Sequence, residues 1–182
     1  LARVAALVPE DAYGARVLQA WRAASTTGGG LVGPYAAYPT EGDATAAVGR
    51  LVGQQTAAAP AFDALLLPDT GPRLRNILGL LGYHQLDTRT VRLLGTMLWQ
   101  DDASLASEPA LQGAWMAVPP PDGVSAFARR FEDEFGRKPA PLAGLAYDAT
   151  ALAAVLIRGE RRLDEQALTA PSGFAGRLGI FR

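Results

Sequence analysis

The chain has 182 residues, of which 49% are hydrophobic and 19% charged, a composition typical of a folded domain. Its 17 basic and 18 acidic residues leave a formal net charge of −1, so we expect neither nucleic acid nor an anionic membrane surface as a partner. It has no cysteine and one histidine, which excludes disulfides, thiolate catalysis and cysteine-ligated metals, and we expect no metal site and no cofactor.

The N-terminal part of the chain alternates apolar runs with an amphipathic helix. Residues 3–8 predict a buried strand, and Asp11 is a suitable N-cap for a helix that ends before Gly28. A second strand is predicted at 31–38. It is placed at a sheet edge because Pro34 cannot donate a hydrogen bond to a neighbouring strand.

The same alternation continues as far as the prolines at 119–121. The predicted elements are a helix at 43–52, a central strand at 63–67, a helix at 72–81, a strand at 91–95, a loop with at most one short helix at 96–109 and a strand at 111–118. Alternating strands and helices predict an α/β fold, with a doubly wound, mostly parallel five-stranded sheet and helices on both faces. Ligands of such sheets bind beyond the carboxyl ends of the strands.

After the prolines the pattern becomes helical. Residues 124–135 and 141–157 predict two amphipathic helices, a short helix follows near 163–168, and one strand is expected within 172–182. We therefore divide the chain into an α/β domain at 1–121 and a helical segment at 122–182. The segment has little sheet of its own to cover its apolar helix faces, so we expect a further partner for them.

Five short motifs occur in a fixed order along nearly the whole chain, beginning with an acidic turn that places Tyr13-Gly14 at the head of a helix. They lie at 8–14, 62–68, 93–96, 127–139 and 145–149. In order and spacing they resemble the second lobe of type 1 periplasmic binding proteins. This resemblance implies that the first lobe is missing from the chain, and that residues from about 122 onward pack on that missing lobe.

Three further features refine the resemblance: Gly-Pro-Arg-Leu at 71–74, Trp99 after Leu-Gly-Thr, and the glycines of 173–182. Together they resemble the penicillin-binding-protein-activator-like lipoproteins of Gram-negative bacteria. The resemblance implies a non-catalytic, extracytoplasmic binding module that activates peptidoglycan synthesis, with a peptidoglycan synthase or a small-molecule ligand as its partner. It also implies a periplasmic location, as an outer-membrane lipoprotein whose lipid anchor lies outside this chain.

The alternative function is that of a solute-binding receptor of an ABC importer for amino acids or similar small ligands. The turn that contains Tyr13 and two helix N-termini at the expected cleft favour it. An enzyme on the same sheet is the third hypothesis. We do not expect it, because the strand ends carry acids without a base, a thiol or a metal set beside them.

The turns after the first, third and fourth strands supply six candidate ligand-binding residues. They are Asp11, Tyr13, Asp69, Thr70, Met97 and Trp99. Two of these turns lead into helix N-termini, whose free amides can hold a carboxylate, while Tyr13 and Trp99 can supply apolar walls.

Four of the six candidates also have a purely structural explanation. Asp11 and Asp69 suit helix caps, Tyr13 suits a packed core position, and for Trp99 ligand stacking, partner contact and a hydrophobic plug all remain open. The resembled amino-acid-binding proteins carry an acidic residue just after the fourth strand, and alignment on Gly95 places Met97 there. For His84 we expect a role at a helix terminus or on the surface.

Overall fold

The computed structural model describes residues 3–55, 60–119, 121–140, 142–159, 164–177 and 179–181. The chain forms two compact units, Leu1–Ala117 and Val118–Arg182, and each is described by itself. No helix in these described ranges is long and apolar enough to cross a membrane.

The first unit is built on a five-stranded sheet in the order β2-β1-β3-β4-β5. Its strands are β1 (Arg3–Pro9), β2 (Leu31–Tyr38), β3 (Ala64–Leu67), β4 (Arg92–Gly95) and β5 (Trp115–Met116). All neighbouring strands are parallel; Leu65 of β3, for example, lies opposite Ala5 of β1 and Leu93 of β4. The α/β fold with a parallel sheet is thus confirmed, with the proline-containing strand at one edge and β3 at the centre.

Helices cover both faces of this sheet. On one face, Ala6 and Val8 of β1 pack with Trp21 of α1 (Ala12–Thr27). On the other, Ala5 and Leu7 join a larger core with α2 (Thr45–Val52) and α3 (Gly71–Tyr83). The alternation along β1 divides its apolar side chains between the two faces, so the strand is buried on both sides.

Local chemistry sets the ends of the helices. The carboxylate of Asp11 accepts the Gly14 N–H at 2.7 Å and caps α1, as predicted. Helix α3 ends at Tyr83, with His84 as its C-cap. Gln85 follows with φ of 59°, the one non-glycine residue of the described chain in the left-handed region. The Leu86 N–H closes this turn on the Leu81 carbonyl at 2.9 Å. A side chain at such a position costs roughly 1–2 kcal/mol, which a glycine there avoids.

The segment between β4 and β5 differs from the prediction. It folds into three 3₁₀ helices, Met97–Asp101, Ala103–Ser107 and Pro109–Leu111, and β5 is two residues long instead of spanning 111–118. The physical reason is that a side chain distant in sequence holds this segment. Arg75 of α3 donates to the Asp102 carboxylate at 2.7 Å, and that carboxylate also accepts the Ser104 N–H at 3.1 Å.

The second unit consists of α4 (Pro121–Phe135), α5 (Ala143–Arg158), α6 (Glu165–Leu168) and the strands β6 (Phe174–Ala175) and β7 (Ile180–Phe181). The two strands form an antiparallel hairpin where the sequence predicted one strand. The first residue of the short helix predicted at 163–168 lies outside the described residues. Asp148 of α5 is 3% exposed and accepts the Arg177 N–H at 2.8 Å, which ties the helix to the hairpin.

Gly14 of α1 provides a test of how this helix packs against the end of β1 in the first unit. A Cβ atom at this position would lie 1.9 Å from the Pro9 carbonyl oxygen. We expect Gly14→Ala to lower the free energy of unfolding by about 2–3 kcal/mol, since backbone has to move. The matched control is Gly79→Ala in α3, where a Cβ meets no atom within 4 Å. It should stabilise the chain by up to about 1 kcal/mol. Urea unfolding of both variants measures the difference, and equal effects would contradict the packing described.

Candidate functional site

Three turns meet at the carboxyl edge of the sheet, and we call residues 10–13, 69–71 and 96–99 the rim. They follow β1, β3 and β4. The chain leaves β1 towards β2 and leaves β3 towards β4, in opposite directions along the sheet. The topological switch point, where ligands of open parallel sheets bind, therefore lies between the first two turns of the rim.

Asp69 holds the rim together. Its Oδ2 accepts the Tyr38 hydroxyl at 2.6 Å, and its backbone carbonyl accepts the Trp99 Nε1–H at 3.0 Å. Its Oδ1 accepts the Thr70 N–H at 2.8 Å, and the Arg73 Nε lies 3.8 Å from Oδ2. One residue thus connects the end of β2, the start of α3 and the 3₁₀ segment after β4, a larger role than the helix cap that the sequence suggested.

Tyr38, which sequence reasoning missed, is the buried donor of this network. It is 1% exposed. Burial, together with the hydrogen bond to Asp69, raises the pKa of the Tyr38 phenol far above its ordinary value. The hydroxyl therefore stays protonated and donates to the carboxylate across the physiological range. A tyrosine that ends an edge strand was the available signal, but its partner lies 31 positions further along the chain.

Trp99 is the buried aromatic residue of the rim. Its side chain is 7% exposed and lies against Gly95, where an added Cβ would come within 2.2 Å of the ring. Among the three roles that the sequence left open for Trp99, this burial favours the hydrophobic plug. The missing side chain of Gly95 provides the slot, and the slot becomes visible only when β4 and the next turn are seen together.

Tyr13 and Met97 are the large apolar side chains exposed on the rim, and Glu10, Asp11 and Ala12 of its first turn are exposed as well. Tyr13 is 39% exposed, and its hydroxyl lies 3.1 Å from Thr96 Oγ1, which joins the first turn to the third. Met97 is 54% exposed. The Thr70 hydroxyl donates to the Leu98 carbonyl at 3.2 Å and joins the second turn to the third. The structure therefore brings all six predicted residues to one edge, although Asp11 is engaged as a helix cap and Trp99 is buried.

The rim combines positive helix ends with an apolar surface. In the first turn of α1 the Gly14 N–H is taken by Asp11, which leaves the amides of Ala12 and Tyr13 without a carbonyl partner in the helix. In α3 the second residue is Pro72, which has no N–H. Both N-termini lie at the switch point. Beside them stand the ring of Tyr13, the thioether of Met97 and the exposed carboxylate of Glu10. Such a surface suits a small carboxylate with an apolar body. Within the described ranges no cluster of His, Asp and Glu side chains could hold a metal ion.

Comparison with known proteins identifies the fold. No family model and no curated protein matches the chain. A periplasmic ligand-binding protein of a branched-chain amino acid ABC transporter from Burkholderia xenovorans is 19% identical, with a TM-score of 0.64 over 97% of this chain and 48% of that one. The leucine-binding protein of Thermotoga maritima is 20% identical, with a TM-score of 0.57 over 98% of this chain and 52% of that one.

A third solved structure carries a ligand of another class. It is a solute-binding protein of an ABC transporter from Rhodopseudomonas palustris in complex with 3,4-dihydroxybenzoic acid, 23% identical, with a TM-score of 0.53 over 97% of this chain and 50% of that one. These similarities establish the fold. The chain has the fold of one lobe of a type 1 periplasmic binding protein and spans about half the length of the proteins it matches.

Replacing Tyr38 tests the network of Asp69. At pH 7 we expect Tyr38→Phe to lower the free energy of unfolding by about 1.5–3 kcal/mol, because a carboxylate loses a buried donor. The phenol has a pKa near 10 when unfolded and a higher one when folded. The contribution of the Tyr38 hydroxyl to stability is therefore complete below about pH 10 and declines as the pH rises further. The difference in the free energy of unfolding between wild type and Tyr38→Phe should become smaller there.

The control for this experiment is Tyr83→Phe, because the Tyr83 side chain is 77% exposed. Urea unfolding at pH 7 and at pH 10.5 provides both comparisons. If the loss of unfolding free energy in Tyr38→Phe does not change with pH, or is as small as that in Tyr83→Phe, the buried hydrogen bond to Asp69 is disproved.

Proposed function

We propose that this chain is a non-catalytic, periplasmic solute-binding lobe of an ABC importer's substrate-binding protein. The observation that carries the proposal is the rim: two helix N-termini and an exposed apolar surface at the switch point of a parallel sheet. The fold shared with substrate-binding proteins of ABC transporters supports it. In this function the lobe supplies one wall of the ligand site and performs no covalent chemistry.

The ligand class follows from the side chains on the rim. Leucine and 3,4-dihydroxybenzoate, bound by two of the similar proteins, share a carboxylate and an apolar or aromatic body. Here the Ala12 and Tyr13 amides of α1, which the Asp11 cap does not occupy, can receive a carboxylate, and Tyr13 and Met97 can contact the body. Met97 stands where an acid would grip an ammonium group, and the carboxylate of Asp69 is already held by Tyr38 and Thr70. We therefore favour a ligand that combines a carboxylate with an aromatic or aliphatic body.

The activator hypothesis gains no support from these observations. The similar structures described above all belong to ABC transporter systems, which favours the importer alternative over peptidoglycan synthesis. A peptidoglycan synthase partner and an outer-membrane lipid anchor stay predictions that rest on the sequence resemblance alone.

A titration followed by two-dimensional NMR tests the proposal on this 182-residue chain. We expect 3,4-dihydroxybenzoate to shift the amide signals of Tyr13, Thr96 and Met97 in a saturable way. A single lobe covers only part of a ligand, so a dissociation constant on the order of 1 mM is expected. The neutral analogue catechol, which lacks the carboxylate, should shift these signals much less. The proposal fails if the two molecules act alike, or if the rim signals do not move.

Substitution of Met97 tests the ligand class separately. Met97→Asp introduces a negative charge at the rim and should weaken binding of 3,4-dihydroxybenzoate about tenfold, equivalent to about 1.4 kcal/mol. Met97→Leu is the matched control, because it keeps an apolar side chain of similar size, and binding should change less than twofold. Equal affinities for the aspartate and leucine variants would show that the ligand does not approach Met97.

A further inference from the structure

The second unit contains a groove that plays no part in the function proposed above. It lies between α4 and α5, beside the turn after β6, and has a volume of about 210 Å³; we call it the α4–α5 groove. Sites for drug-sized ligands begin at about 300 Å³, so this groove suits a molecule with a single ring and one substituent. Its lining residues all belong to the second unit and to the described part of the chain.

Four aromatic side chains form the wall of the groove. Phe127, Phe131 and Phe135 follow one another along one face of α4, with ring centroids 5.8 and 4.6 Å apart. Tyr147 of α5 adds a ring whose centroid lies 5.3 Å from that of Phe127. Phe135 is 60% exposed and Tyr147 is 40% exposed, so the wall is open to solvent. A further flat ring is the shape that packs favourably on such a wall.

The charged side chains of the lining are not engaged elsewhere. They are Arg130, Glu134 and Arg177. Within the described ranges, no ion pair and no side-chain hydrogen bond involves any of these three charged groups. Both guanidinium groups are therefore available to a ligand in the groove.

The main chain at Arg177 is held by both helices. Its N–H donates to the carboxylate of the buried Asp148 of α5 at 2.8 Å. On the α4 side, a Cβ atom at Gly123 would lie 2.2 Å from the Arg177 carbonyl oxygen, so the backbone of the helix contacts this peptide directly. Because the peptide is fixed from two sides, the Arg177 side chain is presented from a rigid base, which lowers the entropy lost on binding.

The balance of charge selects the class of ligand. Arg130 and Arg177 carry two positive charges against the one negative charge of Glu134, and the Arg137 guanidinium carbon lies 5.6 Å from the centroid of the Phe131 ring. Aromatic walls by themselves also suit a cation. Here Arg137 already lies over Phe131, and the other two guanidinium groups repel a further cation. They attract an anion, since guanidinium groups bind carboxylates and phosphates through paired N–H donors.

The same charges distinguish the groove from an apolar helix face that needs a cover. Arg130 and Glu134 belong to the face of α4 that carries the rings, and both are exposed. An apolar surface packed on this face would bury both charges without partners, which costs free energy. A ligand that brings its own negative charge pairs with the arginines instead.

We propose that the α4–α5 groove binds a small aromatic anion, a carboxylate or a phosphate monoester. Its ring packs on the wall formed by Phe127, Phe131 and Tyr147, and its anionic group is received by Arg130 and Arg177. The site lies in the second unit, apart from the rim residues, and does not depend on the function proposed above.

A titration of the 182-residue chain tests ring and charge separately. Phenyl phosphate, benzyl alcohol and benzylammonium share a ring and differ in charge, and inorganic phosphate has the charge without the ring. We expect phenyl phosphate to shift the Tyr147 ring signals and the Arg177 amide signal saturably in two-dimensional NMR, with the other three molecules bound at least tenfold more weakly. The proposal is overturned if these signals do not respond to phenyl phosphate, or if any of the other molecules binds equally well.

A pair of neighbouring arginines tests the proposed anion contact. Arg130→Gln should weaken binding of phenyl phosphate about tenfold, because a charge-assisted contact is lost. Arg129→Gln is the matched control: it removes the same charge one position away, from an exposed residue outside the lining, and should leave the affinity unchanged. Equal affinities in the two variants would contradict a contact between Arg130 and the anion.

Removal of the acid from the lining should have the opposite effect. Glu134→Gln should strengthen binding of phenyl phosphate about threefold, because a like charge is lost, whereas Asp133→Asn, outside the lining, should have no effect. A gain in affinity cannot result from a loss of folding. An affinity that Glu134→Gln leaves unchanged or lowers would contradict the charge assignment.

Separate signals keep this site distinguishable from the rim. Arg130→Gln should leave the response of the Tyr13, Thr96 and Met97 amides to 3,4-dihydroxybenzoate unchanged. Failure of the groove titration therefore does not decide the function proposed for the rim, and failure of the rim titration does not decide the groove.

Discussion

The hydrogen bond from the buried Tyr38 hydroxyl to the Asp69 carboxylate is the interaction on which the rim depends. It is a short bond between a neutral donor and a charged acceptor, the stronger kind in proteins. The backbone carbonyl of Asp69 accepts the Trp99 indole N–H, so this one residue joins the end of β2 to the turns after β3 and β4. Because these contacts are internal, Tyr13 and Met97 remain exposed on a preorganised surface, and a ligand there does not have to order the turns first.

Parallel strands give the two edges of the sheet opposite character. Helix N-termini gather at the carboxyl edge and helix C-termini at the amino edge, so the partial charges of the backbone differ in sign between them. The topology thus accounts for the position of the carboxylate-binding surface that we propose, at the edge where the helix N-termini lie.

Hydrophobic periodicity and helix-cap residues were sufficient to predict most elements of the first unit. The strand at β1, the cap at Asp11, the edge position of β2 and the central position of β3 follow from local pattern, and they placed the candidate residues at one edge. The predictions that failed concern segments whose structure depends on residues far away in the sequence. The 3₁₀ segment is anchored by Arg75 on Asp102, 27 positions away, and the burial of Trp99 depends on its fit against Gly95. No sequence window contains such information.

Hydrogen exchange of the Trp99 indole proton tests the central claim most directly. This proton is bonded to the Asp69 carbonyl at 3.0 Å, and its NMR signal can be assigned with a Trp99→Phe variant. We expect slow exchange in the wild type and exchange at least tenfold faster in Tyr38→Phe, because both contacts converge on Asp69. An exchange rate that Tyr38→Phe leaves unchanged would show that the turns of the rim are held independently, and the account of a rim organised by Asp69 would be wrong.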